Sequence, residues 1–203
     1  MTNQLRIGVL ASHSGTTLQA IIDATEAGTL DAAVCIVISN NSRSGAIERA
    51  KKHNLPFRHL SSTTHADPNE LDQAICDTLH QHNTELVMLA GYMKKLGPQT
   101  LDTFRGRVLN THPALLPRYG GQGMYGDRVH QAVLDADETV TGVSIHQVDG
   151  EYDTGSVVAQ CEVLVESGDD VDSLAERVKK REKSFLLETL QRIATGQVGL
   201  PSE

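Results

Sequence analysis

The chain has 203 residues and a formal net charge of -8, with 39% hydrophobic and 22% charged residues. That length suits one domain able to bury its own core, and the composition is globular, not disordered. The acidic balance, the lack of Trp and the few aromatics (three Phe, four Tyr) disfavour nucleic acid as a partner.

The start, Met1-Thr2-Asn3-Gln4-Leu5-Arg6, has no basic stretch leading into an apolar run. No signal peptide is expected, and no segment approaches the length of a membrane span. Cys35, Cys76 and Cys161 are odd in number and widely spaced. They fit small core residues in a reducing compartment, most simply the cytoplasm.

Residues 5–11 read as a buried strand, 12–15 as a turn, and a helix opens at Leu18 and ends near Gly28. A near-continuous apolar run at 33–38 is of the kind found in a parallel sheet covered on both faces. A helix at 46–53, a short strand at 57–60, a helix at 69–82 and a strand at 86–90 follow, with a short fifth strand at 108–110. This alternation predicts a doubly wound α/β sheet with crossover helices. After Asn110 the rhythm changes to a Pro- and Gly-rich loop over 112–126 and a helix over 129–135. Strands at 141–148 and 156–165 are joined by a short link, so they should be antiparallel. A long helix closes the pattern at 171–195, with Asp169 or Asp170 as N-cap and Gly196 as its stop.

Three places invite chemistry. Ser12-His13-Ser14-Gly15-Thr16-Thr17 joins the first strand to the first helix, where outward N–H groups and hydroxyls can cradle a phosphate. It is neither the dinucleotide fingerprint nor a P-loop, and a plain capped turn is the alternative. Asn110 and His112 are two apart at the carboxyl end of a strand, where ligands of open α/β sheets bind. An amide and an imidazole side by side can donate two hydrogen bonds to one tetrahedral oxyanion. A strand-end cap and a polar loop residue are the plain alternatives. Asp153, in a Gly-flanked acidic loop, could favour the protonated imidazole or steer a proton-relaying water. The alternative is a solvated hairpin tip.

Glu182 shares a helix face with Val178 and Phe185. A carboxylate there either sits at the stripe's edge or accepts hydrogen bonds, for instance from ribose hydroxyls. His112, His130 and His146 are spread out and match no metal-ligand spacing, so no metal is expected.

Several segments together resemble the phosphoribosylglycinamide formyltransferase family. They are Ser14-Gly15-Thr16-Thr17-Leu18-Gln19-Ala20-Ile21, Ser39-Asn40-Asn41-Ser42-Arg43, Leu89-Ala90-Gly91-Tyr92-Met93, Asn110-Thr111-His112-Pro113-Ala114-Leu115-Leu116-Pro117 and Glu151-Tyr152-Asp153-Thr154-Gly155. The resemblance runs from about Leu5 to Gly196. It implies a Rossmann-like formyltransferase fold, mostly parallel and twisted, with an antiparallel C-terminal portion and helices on both faces. It implies a single domain over 1–203, with a phosphate-binding half at about 1–107 and a catalytic and folate-binding half at about 108–203.

The implied reaction, in de novo purine biosynthesis, moves a formyl group from 10-formyltetrahydrofolate to the amine of glycinamide ribonucleotide. Asn110, His112 and Asp153 match its catalytic residues. Gly15, Thr16, Thr17 and Glu182 match its substrate phosphate and ribose contacts. Met93, Lys94, Lys95, Leu96, Asn110, Asp149, Gly150, Glu151, Tyr152 and Asp153 match its folate contacts. Small molecules are the implied partners, with a monomer or homodimer and no membrane. Hydrolysis of the same folate, a sugar-nucleotide acceptor and a non-catalytic folate- or nucleotide-binding module are the alternatives. Methionyl-tRNA formyltransferase shares the Asn-x-His-Pro motif but needs a longer chain and a basic surface. Many family members have Asn where this chain has Thr17, and a folate-contacting arginine has no counterpart near Pro68-Asn69. The Gly120–Gly126 loop is longer than in some members.

Overall fold

The computed structural model describes residues 4–200. The first three residues of the expected leaderless start, and positions 201–203 of the expected 1–203 domain, lie outside the described residues. The strands form one seven-stranded sheet in the order β3-β2-β1-β4-β5-β6-β7. Two compact units are distinguished along the chain: one runs up to Leu109 and resumes at Leu190, the other spans Asn110–Thr189.

In the first unit, β1 (Leu5–Leu10) pairs in parallel with β2 (Ala32–Ser39) and β4 (Leu86–Leu89), and β2 pairs with β3 (Phe57–His59). Ile7, Val9, Ile36, Val37, Val87 and Met88 are all fully buried. Both faces of these strands are covered, which is why the sequence runs apolar there without alternating. The helices α1 (Thr16–Glu26), α2 (Gly45–Lys52) and α3 (Pro68–Gln81) supply the crossovers.

A helix absent from the sequence reading, α4 (Pro98–Thr103), follows β4. Six residues are too few to show a helical period. Its start is capped from α3: Asp72 accepts hydrogen bonds from Gln99 N (2.8 Å), Thr100 N (3.2 Å) and Thr100 Oγ1 (2.6 Å). A carboxylate that satisfies two orphan amides can hold so short a helix.

In β5 (Val108–His112) the strand runs two residues past its expected end, so Asn110, Thr111 and His112 all lie on strand backbone. In the second unit α5 (Asp127–Asp135) precedes β6 (Val140–Gln147) and β7 (Val157–Leu164), which pair antiparallel as expected. Val129, Val133, Val143, Ile145, Leu174 and Val178 form that unit's buried apolar interior. The last helix, α6 (Val171–Ala194), starts on a reciprocal cap: Ser173 N donates to Asp170 Oδ1 (2.8 Å) and Asp170 N to Ser173 Oγ (3.0 Å). It stops at Gly196, whose N–H bonds back to Ile193 O while Gln197 N bonds to Arg192 O. Among the described residues no helix is long and apolar enough to cross a membrane.

Candidate active site

In the first unit, the loop after β1 is fastened residue by residue. Ser12 N donates to Gly91 O (3.1 Å), and Ser12 Oγ accepts from Met93 N (2.8 Å). His13 O accepts from Ala46 N (3.2 Å), and Ser14 O from Arg49 Nε (2.8 Å). The carbonyls of residues 13 and 14 are thus tied to α2. Gly15 caps α1 in the left-handed region (φ 67°), with no side chain capping the helix. A Cβ on Gly15 would lie 2.8 Å from Ala46 Cα, and one on Gly45 2.7 Å from Ser14 O. Backbone packs on backbone here, and only glycine fits. The orphan amides at the start of α1, beside half-buried Thr16 and Thr17, form a site able to take an anion. In the segment tied to Ser12, Met93, Lys94 and Lys95 are exposed and Leu96 is buried.

In the second unit, Asn110, His112 and Asp153 come together around a fourth residue, His146. His146 is only 2% exposed. Its Nδ1 lies 2.9 Å from Gln147 O, and a carbonyl can only accept, so Nδ1 carries the hydrogen. Burial holds His146 below the ordinary histidine range, against the opposing pull of the Gln147 carbonyl and Asp153. In the neutral ring Nε2 is therefore an acceptor, and Asn110 Nδ2 donates to it at 3.2 Å. That bond sets which way the Asn110 amide points.

Asp153 stands between the two histidines. Its Oδ2 lies 3.5 Å from His112 Nδ1 and its Oδ1 3.5 Å from His146 Nε2. Gly121 N anchors it with a 2.9 Å bond to Oδ2. His112 is buried, and its Nε2 lies 2.7 Å from Tyr119 O. Glu182 accepts from Thr111 Oγ1 at 2.7 Å. Burial pushes its carboxyl above the usual range, with the Thr111 bond opposing. Glu182 is thus a hydrogen-bonded carboxylate, not a solvated one. In the loop after β6, Asp149 Oδ1 accepts from Thr154 Oγ1 (2.9 Å) and Glu151 N (3.3 Å), while Tyr152 is half-exposed. Among the described residues, no group of three His, Cys, Asp or Glu side chains is placed to hold a metal ion.

The formyl transferase family model matches residues 5–190. The chain belongs to the formyl transferase family. It is 37% identical over 195 residues to the trifunctional purine biosynthetic protein adenosine-3 of Bos taurus, covering 96% of this chain and 19% of that protein. It thus spans about a fifth of the length of that relative. It is 36% identical over 177 residues to the phosphoribosylglycinamide formyltransferase of Haemophilus influenzae, covering 87% of this chain and 81% of the relative. The crystal structure of glycinamide ribonucleotide transformylase 1 from Symbiobacterium toebii matches it with a TM-score of 0.89 at 31% identity, covering 100% of this chain and 93% of that one.

One feature escapes a reading of the sequence alone. His146 reads as one of three scattered histidines, yet it lies at the carboxyl end of β6, within hydrogen-bond reach of Asn110 on β5. Pro68 is the first residue of α3, and Asp67 caps that helix by accepting from Asn69 N (2.8 Å).

Proposed function

We propose that the protein transfers the formyl group of 10-formyltetrahydrofolate to the amine of glycinamide ribonucleotide. The observation that carries this reading is the cluster of Asn110, His112, His146 and Asp153 in a chain of the formyl transferase family. The acceptor amine adds to the formyl carbon, forming a C–N bond and moving the carbonyl electrons onto oxygen. Asn110 gives one amide hydrogen to His146 and presents the second to that oxygen. The His112 ring, whose Nε2–H is taken by the Tyr119 carbonyl, offers a second donor at Nδ1 when that nitrogen also carries a proton. Two such donors held in place by the fold stabilise the developing charge without reorganising.

The tetrahedral adduct must then lose the amine's proton and protonate the departing folate nitrogen before the second C–N bond breaks. Asp153, beside both histidines, is the group to pass that proton, directly or through a water. Gly15, Thr16 and Thr17 would hold the substrate phosphate and Glu182 its ribose. Met93–Leu96 and Asp149–Tyr152 would receive the folate.

The test is an initial-rate assay of the pure protein with 10-formyltetrahydrofolate, with and without glycinamide ribonucleotide. Consumption should depend on the amine, and His112→Ala should lower turnover on the order of a hundredfold. Amine-independent consumption makes the protein a hydrolase. Near-normal turnover of His112→Ala refutes the catalytic assignment.

A further inference from the structure

Tyr119 has a backbone that a side-chain-bearing residue seldom adopts, with φ at 56°. The left-handed region costs a non-glycine residue on the order of 1 kcal/mol, so other contacts must offset it. Three do. The Tyr119 hydroxyl donates to Glu138 Oε1 at 2.8 Å. Arg118 pairs with the same Glu138 oxygen, and its guanidinium lies over the Tyr119 ring, 5.4 Å from the centroid. Glu138 is mostly buried and is tied to α5 through its own N–H on Val133 O (3.3 Å). A line of contacts thus runs from α5 through Glu138 to the Tyr119 ring.

That line ends on His112. In the conformation so held, the Tyr119 carbonyl lies 2.7 Å from His112 Nε2. A carbonyl oxygen has no proton to give, so Nε2 must carry the hydrogen. The lone pair of the neutral ring then falls on Nδ1, the nitrogen 3.5 Å from Asp153 Oδ2. At that distance Asp153 does not hold the ring by a hydrogen bond of ordinary length. The orientation of His112 rests on Tyr119.

We propose that Tyr119, clamped by Glu138 and Arg118, is a positioning residue that fixes the ring plane and tautomer of His112 and leaves Nδ1 as its working nitrogen. The proposal rests on the reading of His112 as catalytic. It assigns Glu138 and Arg118, both outside the four-residue cluster, to the same device. The Tyr119 hydroxyl touches no substrate in this account, so its loss should act on turnover and not on binding.

The test compares Tyr119→Phe, Glu138→Ala, Glu138→Gln and the Tyr119→Phe/Glu138→Ala double variant with the parent protein. Tyr119→Phe and Glu138→Ala should each lower kcat about 5- to 20-fold, the scale expected when a catalytic group is slightly misplaced. KM for both substrates should stay within about twofold, and the double variant should be no worse than either single one, because both break one chain of contacts. Glu138→Gln keeps an acceptor oxygen for the Tyr119 hydroxyl and should restore most of kcat. In 15N spectra of the imidazole, the parent should show hydrogen on Nε2 of the neutral His112 ring, and Tyr119→Phe a mixture of tautomers. Parent-like kcat and spectra in Tyr119→Phe would overturn the proposal. So would a loss confined to KM, a failure of Glu138→Gln to restore turnover, or loss of a cooperative melting transition in both single variants, since the contacts would then be purely structural. If His112→Ala retains turnover, the underlying catalytic reading fails instead.

Discussion

Replacing His146 with leucine removes the acceptor for Asn110 Nδ2, 3.2 Å away, and the imidazole 3.5 Å from Asp153. The half-buried Asn110 amide loses the bond that orients it, and the Gln147 carbonyl loses its donor. An unpaired polar group of this kind costs roughly 1–3 kcal/mol. If that cost falls on the transition state, kcat drops about 5- to 150-fold, at about 1.4 kcal/mol per factor of ten. His146→Gln, whose amide oxygen can reach the place of Nε2, should lose less. Asn110→Ala combined with His146→Leu should cost little more than Asn110→Ala alone, because the histidine acts through the amide.

The assay is initial-rate folate turnover at saturating concentrations of both substrates. Turnover of His146→Leu within twofold of the parent would refute the argument. The reaction should also respond to pH in a set direction. Burial places His146 below the ordinary histidine value of 6.5, so the ring is neutral in the folded protein. Protonation would make Nε2 a donor facing another donor. The unfolded ring takes up a proton first, so this contribution to stability is complete above about pH 6.5. It is lost, with the oriented amide, as pH falls through the lowered pKa.

Three other substitutions probe the surrounding structure. Gly15→Ala puts a methyl 2.8 Å from Ala46 Cα at a φ of 67°, which should cost about 2 kcal/mol and lower Tm by about 4–8 °C, with weaker acceptor binding. A parent-like Tm and KM would show that the loop can give way. Glu182→Gln should raise KM for the ribonucleotide about tenfold if the carboxylate accepts from ribose. The carboxyl of Glu182 is pushed above its usual range, so its contribution to stability is present below the unfolded value of 4.5 and lost as pH rises through the raised pKa. Glu182→Gln should therefore melt higher than the parent near neutral pH, and a lower Tm there would contradict this. Asp72→Ala removes three hydrogen bonds that start α4 and should cost about 2–4 kcal/mol, or about 5–15 °C in Tm. A shift under about 2 °C would mean that α4 starts without that cap.

The parallel strands were legible because burial on both faces leaves unbroken apolar runs such as Ala33 to Ile38. The antiparallel pair was legible from the short link between its strands. Asn110, His112 and Asp153 could be named because two lie at a strand's carboxyl end and the third in a glycine-flanked loop. The short α4 was not legible, since its start depends on Asp72, 26 positions before Pro98 and on another helix (98 − 72). His146 was not legible as a site residue because its contact with Asn110 joins positions 36 apart on different strands and exists only in the fold. The link from Tyr119 to His112 is carried by a backbone carbonyl, which no side-chain pattern reveals. Close-range geometry of that kind depends on loop conformation, and local sequence signals specify it weakly.

The central claim is that the cluster around Asn110, His112 and Asp153 passes a formyl carbon to an amine. It is tested most directly by following that carbon with a 13C label in the formyl group of the folate. With glycinamide ribonucleotide present, the label should appear in the formamide of the product at the rate of folate turnover, and it should fail to move when Asn110 and His112 are both replaced by alanine. Label recovered as free formate, or transfer that persists in the double variant, would contradict the account.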